Sequence, residues 1–569
     1  MDKNNKDFRF KHQKARIRII ILSLIVLFPN IYLAFYNNEV TGATFGGITA
    51  YLALSVFLFI LPSLFLKARV FFLIQGIFVI LAPLEIAHIY MNRMPATSAF
   101  LLSIIDTEWN ESTELLSSLK VPIFILLLLW ILYFYITIKK INNHYFVHSK
   151  KIRAYISGAY LVAILVGYAY YFTREYSQTA YKIDIFKTTN EDVEAKFREI
   201  YPYDLIIRAY EVYDTKKQIK EGREKIKHFE FGAQKTEPVD GKEIYVFVIG
   251  ETGRYNSYSI NGYKRETAPL LSKTENLVSY SDFFSEANIT SSSISTILTR
   301  ATANDYNRSF VEKSFVDAFK EAGFKTYWIA NQSASNKFIR RIAGDADGEY
   351  FTVTDMYADN YDEKLWPYLD EVLKKSEEKV FIVLHTLGSH FRYNFRYPPR
   401  FEVFRPSLQG AFDYAMISAK NKQQFINTYD NSILYTDYFL ANTIRKIDSL
   451  QAVGAVIYMA DHGENLFDTK ENVVLHGGSK YTEYDFHVPF FVWTSDKYRV
   501  QYPSKTENII RNKDKKLSSG NLFYSWLDIA GITFPEQIRS KSIASESLQE
   551  DSVRYIINTN MEVKEEARH

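Results

Sequence analysis

The chain has 569 residues, carries 68 Lys and Arg against 65 Asp and Glu for a net charge of +3, and contains no cysteine. Its length exceeds what one hydrophobic core holds and implies two or three domains. The near-neutral balance argues against a nucleic-acid-binding surface, and the missing cysteines exclude disulfides, thiolate metal ligands and a cysteine nucleophile.

Apolar runs at 19–36, 45–66, 70–90, 122–138 and 155–172 each approach the ~20 residues that cross a bilayer, which predicts five membrane spans. Lys11, Lys14, Arg16 and Arg18 precede the first span, and Lys67 and Arg69 separate the second from the third. Lys139, Lys140, Lys150, Lys151 and Arg153 separate the fourth from the fifth. The positive-inside rule makes these segments cytoplasmic and everything after residue 172 extracytoplasmic. No small-residue cleavage site follows the first span, so it is expected to be retained. Pro29, Pro62 and Pro83 are tolerable in spans whose neighbours satisfy the freed carbonyls. Glu85 and His88, three apart on the third span, share a helix face. Either a mutual hydrogen bond near the interface or a functional pair accounts for them.

The loop 91–119 sets Ser103, Thr107 and Glu111 four apart beside Leu101, Leu102, Ile105 and Leu115, a helix with one polar stripe. On spacing alone that stripe faces water. Residues 174–237 read as a charged bridge, broken at Tyr201-Pro202-Tyr203, suited to lie along the membrane surface. Beyond it strands alternate with amphipathic segments such as 314–322 and 364–375, the pattern of an α/β sandwich.

Three of those strands end on reactive side chains. The apolar runs 245–250, 380–384 and 455–460 read as central strands covered on both faces, and ligands bind beyond the carboxyl ends of such strands. The runs deliver Glu251, then His385 and His390, then Asp461 and His462. Mixed oxygen and nitrogen ligation by Glu251, Asp461 and His462 suits an open Zn²⁺ site, with Mn²⁺ or Mg²⁺ as alternatives. His385, His390 and His476 are candidates for a second cation or for a phosphate. A single His after a strand is commonly just a satisfied side chain, but several such groups at strand ends make coincidence the weaker account. Residues 288–300, NITSSSISTILTR, set hydroxyls ahead of Ile294, Ile297 and Leu298. That puts Thr290 or a neighbour at a helix N-terminus, where free N–H groups favour an alkoxide and a phosphoryl group. A plain N-cap role for Thr290 or Ser291 is the alternative.

Five spans, GET followed by NGYKRETAP, then LTRAT, LHTLGSH, ADHGEN and LHGG occur in family order, and over nearly its whole length the chain resembles the membrane-bound phosphoethanolamine transferases of the alkaline phosphatase and sulfatase superfamily. The resemblance implies a five-helix transmembrane domain over 1–173, a bridge over 174–237 and a sulfatase-like α/β/α catalytic domain over 238–569. It implies a bacterial inner membrane, with the N-terminus cytoplasmic and the catalytic domain periplasmic. Carried over by motif, Thr290 is the nucleophile, and Glu251, Thr290, Asp461 and His462 hold the primary zinc. His385, His390 and His476 match residues that bind a second zinc or the substrate phosphate, so one or two Zn²⁺ are implied. Ser103, Thr107 and Glu111 match the positions that hold the donor's ethanolamine head, although Asn is common where Ser103 stands, and Lys337 matches a phosphate-contacting lysine.

The implied reaction moves phosphoethanolamine from phosphatidylethanolamine, through a covalent threonine intermediate, to lipid A or another lipopolysaccharide or envelope glycan. The partners implied are membrane lipids, with no nucleic acid, and the enzyme is expected to be a monomer. On lipid A the added amine would reduce surface negative charge and weaken cationic peptides such as polymyxin. Two departures stand out. Cysteines that bracket the hydroxyl helix in lipid A-modifying members are absent, so the nucleophile loop is expected to be held by packing alone. Ser295 stands where a Pro is expected, which keeps Ser291 as the alternative nucleophile. A glycerolphosphate transferase of the lipoteichoic-acid-synthase type shares the spans and the threonine, a sulfatase would need its own modifiable Cys or Ser, and a non-catalytic scaffold would bind no zinc.

Overall fold

The computed structural model describes residues 3–36, 45–92, 95–98, 101, 104–105, 120–142, 150–178, 197, 199–333, 339, 345–353, 360–375, 377–408, 419–470, 472–477, 481–559, 561 and 563–565. The chain divides into two compact units, Met1–Asp214 and Thr215–His569.

The first unit holds α1 (Lys3–Tyr36), α2 (Phe45–Ile60), α3 (Ala68–Asn92), α4 (Lys120–Lys140) and α5 (Lys150–Gln178). Each, α2 together with the turn that follows it, supplies a stretch long and apolar enough to cross a membrane: Gln13–Tyr36, Phe45–Leu64, Ala68–Tyr90, Ile123–Lys140 and Lys150–Tyr170. Large apolar side chains such as Phe28, Ile77, Leu128 and Leu161 point outward, as lipid-facing helices require. Pro62 falls in a 3-10 turn, Leu61–Leu64, that closes α2. Helices α3 and α4 meet at Gly76, where a Cβ would come within 2.6 Å of the Phe134 ring, the close approach that small residues permit between spans. Glu85 is buried; its Oε1 accepts from Ala96 N at 3.0 Å. Its carboxyl also meets that of Asp204, which is ion-paired to Arg208 at 3.3 Å. Within the bridge, Asp204 and Arg208 are buried. A further helix, α6 (Tyr203–Lys227), runs on from there.

The second unit is built on a seven-stranded sheet. Its elements in chain order are β1 (Glu243–Gly250), β2 (Leu277–Ser279), α7 (Thr290–Leu298), α8 (Phe315–Glu321), β3 (Lys325–Ser333), β4 (Gly348–Val353), α9 (Trp366–Leu373), β5 (Lys379–His385), α10 (Lys422–Asp448), β6 (Val453–Ala460), β7 (Phe490–Thr494) and α11 (Leu522–Ile529). The strand order is β2-β7-β6-β1-β5-β3-β4, with β6, β1, β5, β3 and β4 mutually parallel and β7 antiparallel to both of its neighbours, β6 and β2. Alternate side chains of β1 feed two cores. Tyr245, Phe247 and Ile249 pack with α7, α8 and α11 on one face. Ile244, Val246 and Val248 pack with α9 and α10 on the other. This two-sided burial is why the strands are continuously apolar and why polar residues can begin only where the strands stop.

Candidate active site

Strand β1 lies between β5 and β6, with Ile249 opposite His385 and Gly250 opposite Ala460. The next residues along, Glu251 and Asp461, therefore leave the sheet side by side. Thr252, at φ 56°, turns the chain sharply there. Its N–H donates to Asp461 Oδ1 (3.1 Å) and its hydroxyl to Glu251 Oε1 (2.8 Å). Tyr429 of α10 locks the same turn from behind, donating its hydroxyl to Thr252 O at 2.8 Å and accepting from Arg254 N at 3.0 Å.

Glu251, Asp461 and His462 are buried, and each offers a ligand atom within 4.8 Å of the others. His462 Nε2 lies 3.3 Å from Glu251 Oε1 and 3.4 Å from Asp461 Oδ2. Thr290 Oγ1 closes the group, 3.3 Å from Glu251 Oε2 and 3.4 Å from His462 Nε2. Thr290 opens α7, and Ile289 is its N-cap with no side-chain capping bond. The Thr290 hydroxyl is therefore engaged at the carboxylate rather than in capping. Ser291 is exposed, and its carbonyl accepts from Ser295 Oγ at 3.3 Å.

Electrostatics favour a cation at this point. Burial and the neighbouring Glu251 charge raise Asp461, whereas burial of His462 is outweighed by Asp461 and Glu251, which push it up to about 10. Burial alone would raise Glu251, but hydrogen bonding and charge from His462 hold it below the ordinary carboxylate range. His462 Nδ1 sits 3.0 Å from Gly463 O. With Nδ1 donating there, Nε2 faces the two carboxylates, donating to them while protonated and free to act as a ligand once a bound cation takes the place of that proton. Asp461 Oδ2 has no hydrogen-bond partner. Two carboxylates, an imidazole lone pair and a hydroxyl form an oxygen and nitrogen donor set with which Zn²⁺ fits.

The other histidines differ among themselves. The His476 ring lies 3.9 Å from that of His462, and its Nδ1 is 3.3 Å from Glu464 Oε1. Buried Glu464 also accepts from Tyr393 OH at 2.7 Å. Burial lowers His390, with the nearby Glu251 charge opposing it, and its Nδ1 contacts Phe391 O. His385 is fully buried against Trp328, neither ring nitrogen has a hydrogen-bond partner, and burial lowers it to about 4. Ser103, Thr107, Glu111 and Lys337 lie outside the described residues.

Sequence reasoning overlooked the residues that hold the nucleophile loop and the histidine loop in place. Glu286 is a fully buried carboxylate that accepts from Ala303 N (2.6 Å), Ser518 Oγ (2.8 Å) and Gly520 N (3.1 Å). Its own N–H donates to Ser519 Oγ at 3.1 Å, and Ser519 Oγ reaches Thr296 Oγ1 at 3.2 Å. The nucleophile loop is thus fastened by a polar network and not by packing alone. Asp362 acts similarly on the histidine loop, accepting from Leu387 N at 2.8 Å and Gly388 N at 3.1 Å. A lone Glu or Asp far away in sequence carries no pattern that announces such a role.

A sulfatase family model matches residues 243–532. The phosphoethanolamine transferase EptC of Escherichia coli O18:K1:H7 is 29% identical over 329 residues, covering 55% of this chain and 55% of the relative. The chain spans about half the length of the curated relatives it matches. The C-terminal periplasmic domain of EptC from Escherichia coli, solved in complex with Zn, aligns at a TM-score of 0.52 with 27% identity, covering 57% of this chain and 92% of that one. The integral membrane lipooligosaccharide phosphoethanolamine transferase A of Neisseria meningitidis aligns at a TM-score of 0.68 with 20% identity, over 93% of this chain and 98% of that one. The shared fold therefore includes the five-helix unit as well as the α/β unit. The chain belongs to the sulfatase family, and the relatives it matches include phosphoethanolamine transferases.

Proposed function

We propose that the chain is a zinc-dependent phosphoethanolamine transferase anchored in a bacterial inner membrane, with its N-terminus cytoplasmic and its α/β unit periplasmic. The observation that carries this reading is Thr290 Oγ1 at the start of α7, within 3.3 to 3.5 Å of Glu251 and 3.4 Å from His462. Glu251, Thr290, Asp461 and His462 would hold the zinc, which when bound lowers the pKa of the threonine hydroxyl and offsets phosphoryl charge.

The chain's own groups divide the remaining work. Glu251 Oε2 is in reach of the Thr290 proton, and the freed oxygen attacks the phosphorus of phosphatidylethanolamine. The bond from phosphorus to diacylglycerol breaks, and the proton taken from Thr290 passes to the departing diacylglycerol oxygen. Free N–H groups at the start of α7 favour the phosphoryl oxygens. His390 and His476 flank the group as contacts for the phosphate or a second zinc. An acceptor hydroxyl or phosphate oxygen, on lipid A or another envelope glycan, then attacks the same phosphorus, the bond from phosphorus to Thr290 Oγ1 breaks, and Thr290 takes up the proton that the acceptor gives up. Ser103, Thr107 and Glu111 are assigned to the donor's ammonium. A membrane anchor suits two amphiphilic substrates because it confines the site to their surface.

Thr290→Ala in the full chain is expected to abolish transfer while leaving insertion and folding intact, and wild-type enzyme exposed to donor lipid should yield a Thr290 peptide carrying phosphoethanolamine. Normal modification of envelope lipid by the Thr290→Ala variant refutes the reading. Glycerolphosphate on that peptide would point to the lipoteichoic-acid-synthase type instead.

A further inference from the structure

Helix α6 begins inside the five-helix unit. Tyr201 N donates to Asn30 Oδ1 and Asn30 Nδ2 to Tyr201 O, both at 2.8 Å, and Tyr51 OH donates to Glu199 O at 2.7 Å. Asn30 lies six residues before the span end at Tyr36, and Tyr51 six after the span end at Phe45. At 1.5 Å per residue the backbone of 199–201 sits about 9 Å below those ends. Side chains reach deeper. Tyr203 OH donates to Leu58 O at 2.8 Å, and Tyr201 OH to Phe78 O, near the middle of the Ala68–Tyr90 span. Ile200, Tyr201 and Leu205 are buried among α1, α2 and α3.

The opposite face of α6 is bare. Ile206, Tyr210 and Tyr213 are 54%, 68% and 65% exposed. They fall at i, i+4 and i+7, so they form one stripe, and the same face continues to exposed Lys217 and Lys220. If Tyr203 starts at the depth just derived, an upright helix carries Ile206 below the span ends and Tyr210 and Tyr213 across them. Aliphatic, then aromatic is the order in which a bilayer presents hydrocarbon and interface.

We infer that residues 199–213 form a sixth, membrane-embedded half-helix whose Ile206, Tyr210 and Tyr213 stripe contacts phospholipid. Acyl chains cover Ile206, and the glycerol and headgroup region takes the tyrosines. The inference concerns the first unit and stands whether or not Thr290 is the nucleophile.

Because the chain has no cysteine, single thiols introduced by Ile206→Cys, Tyr213→Cys and Lys220→Cys give unambiguous labels. Each variant of the full chain is labelled in detergent with a polarity-sensitive nitrobenzoxadiazole dye and reconstituted into phosphatidylcholine vesicles with and without doxyl-labelled phosphatidylcholine. The label at 206 should be blue-shifted and quenched at least about threefold more than that at 220, with 213 between them. A label at 206 as water-exposed as that at 220 overturns the inference. So does a blue-shifted but unquenched label, which would mean that protein, such as a second copy of the chain, covers the face.

Discussion

Gly388→Ala tests whether the site depends on how closely the histidine loop is pressed against β1. A Cβ at position 388 would stand 2.7 Å from Glu251 O, 2.8 Å from Glu251 N and 3.2 Å from Glu251 Cβ. Those atoms belong to the end of a central strand, pinned by Ser389 N donating to Glu251 O at 3.0 Å and Thr386 N to Ile249 O at 2.9 Å. Restoring ordinary contact therefore requires the loop or the Glu251 backbone to yield by about 0.7 Å. Gly388 also has φ 48°, and alanine in the left-handed region costs about 1–2 kcal/mol. Strain and overpacking together should cost about 2–4 kcal/mol. Since a misplacement of about 1 Å can cost about 10² in rate, turnover should fall roughly ten- to hundredfold. The assay is phosphoethanolamine release from donor lipid by the full chain, read beside zinc content from plasma emission spectrometry and a thermal melt. Turnover within about twofold of wild type, with a full complement of zinc, would show that Glu251 is not held by this contact.

Two further outcomes follow from the buried ionisable groups. In Glu286→Gln the amide nitrogen must face the N–H of Ala303 or of Gly520, since three donors converge on the two carboxylate oxygens; a loss of about 1–3 kcal/mol in unfolding free energy is expected, and an unchanged melting curve contradicts it. His385 is held neutral down to about 4 from an ordinary 6.5 by burial. Between those values the unfolded chain binds the proton and the folded chain does not, so stability falls as acid is added, by up to about 3 kcal/mol. Denaturant titrations at pH 7 and 4.5 in chelator should show a shallower acid loss for His385→Leu than for wild type, and parallel losses would remove His385 as the cause.

The sheet was legible because burial on both faces leaves a strand no room for polar residues until it ends. Glu251 and Asp461 consequently mark the ends of β1 and β6, and their neighbourhood follows from strand pairing. The spans were legible for a parallel reason, since lipid tolerates few interruptions in an apolar run. What escaped was set by contacts distant in sequence. Tyr201-Pro202-Tyr203 looks like a surface break until Tyr201 is seen bonded to Asn30, 171 residues away. Glu286 gains its meaning only from Ser518 and Gly520, more than 230 residues later. Gly388 reads as a loop glycine because what crowds it is the backbone of another strand.

The Glu286 network also bears on how the protein matures. A nucleophile loop tied to the 518–520 turn by hydrogen bonds forms as the chain folds, with no thiol oxidation, no pairing errors and no call on a disulfide-forming catalyst. Reductants and redox stress that would unlock a cystine-braced loop leave this one untouched. Mild acid does not unlock it either, because burial raises the Glu286 carboxyl above the ordinary range despite its hydrogen bonds, so the folded chain takes up that proton more readily than the unfolded chain does.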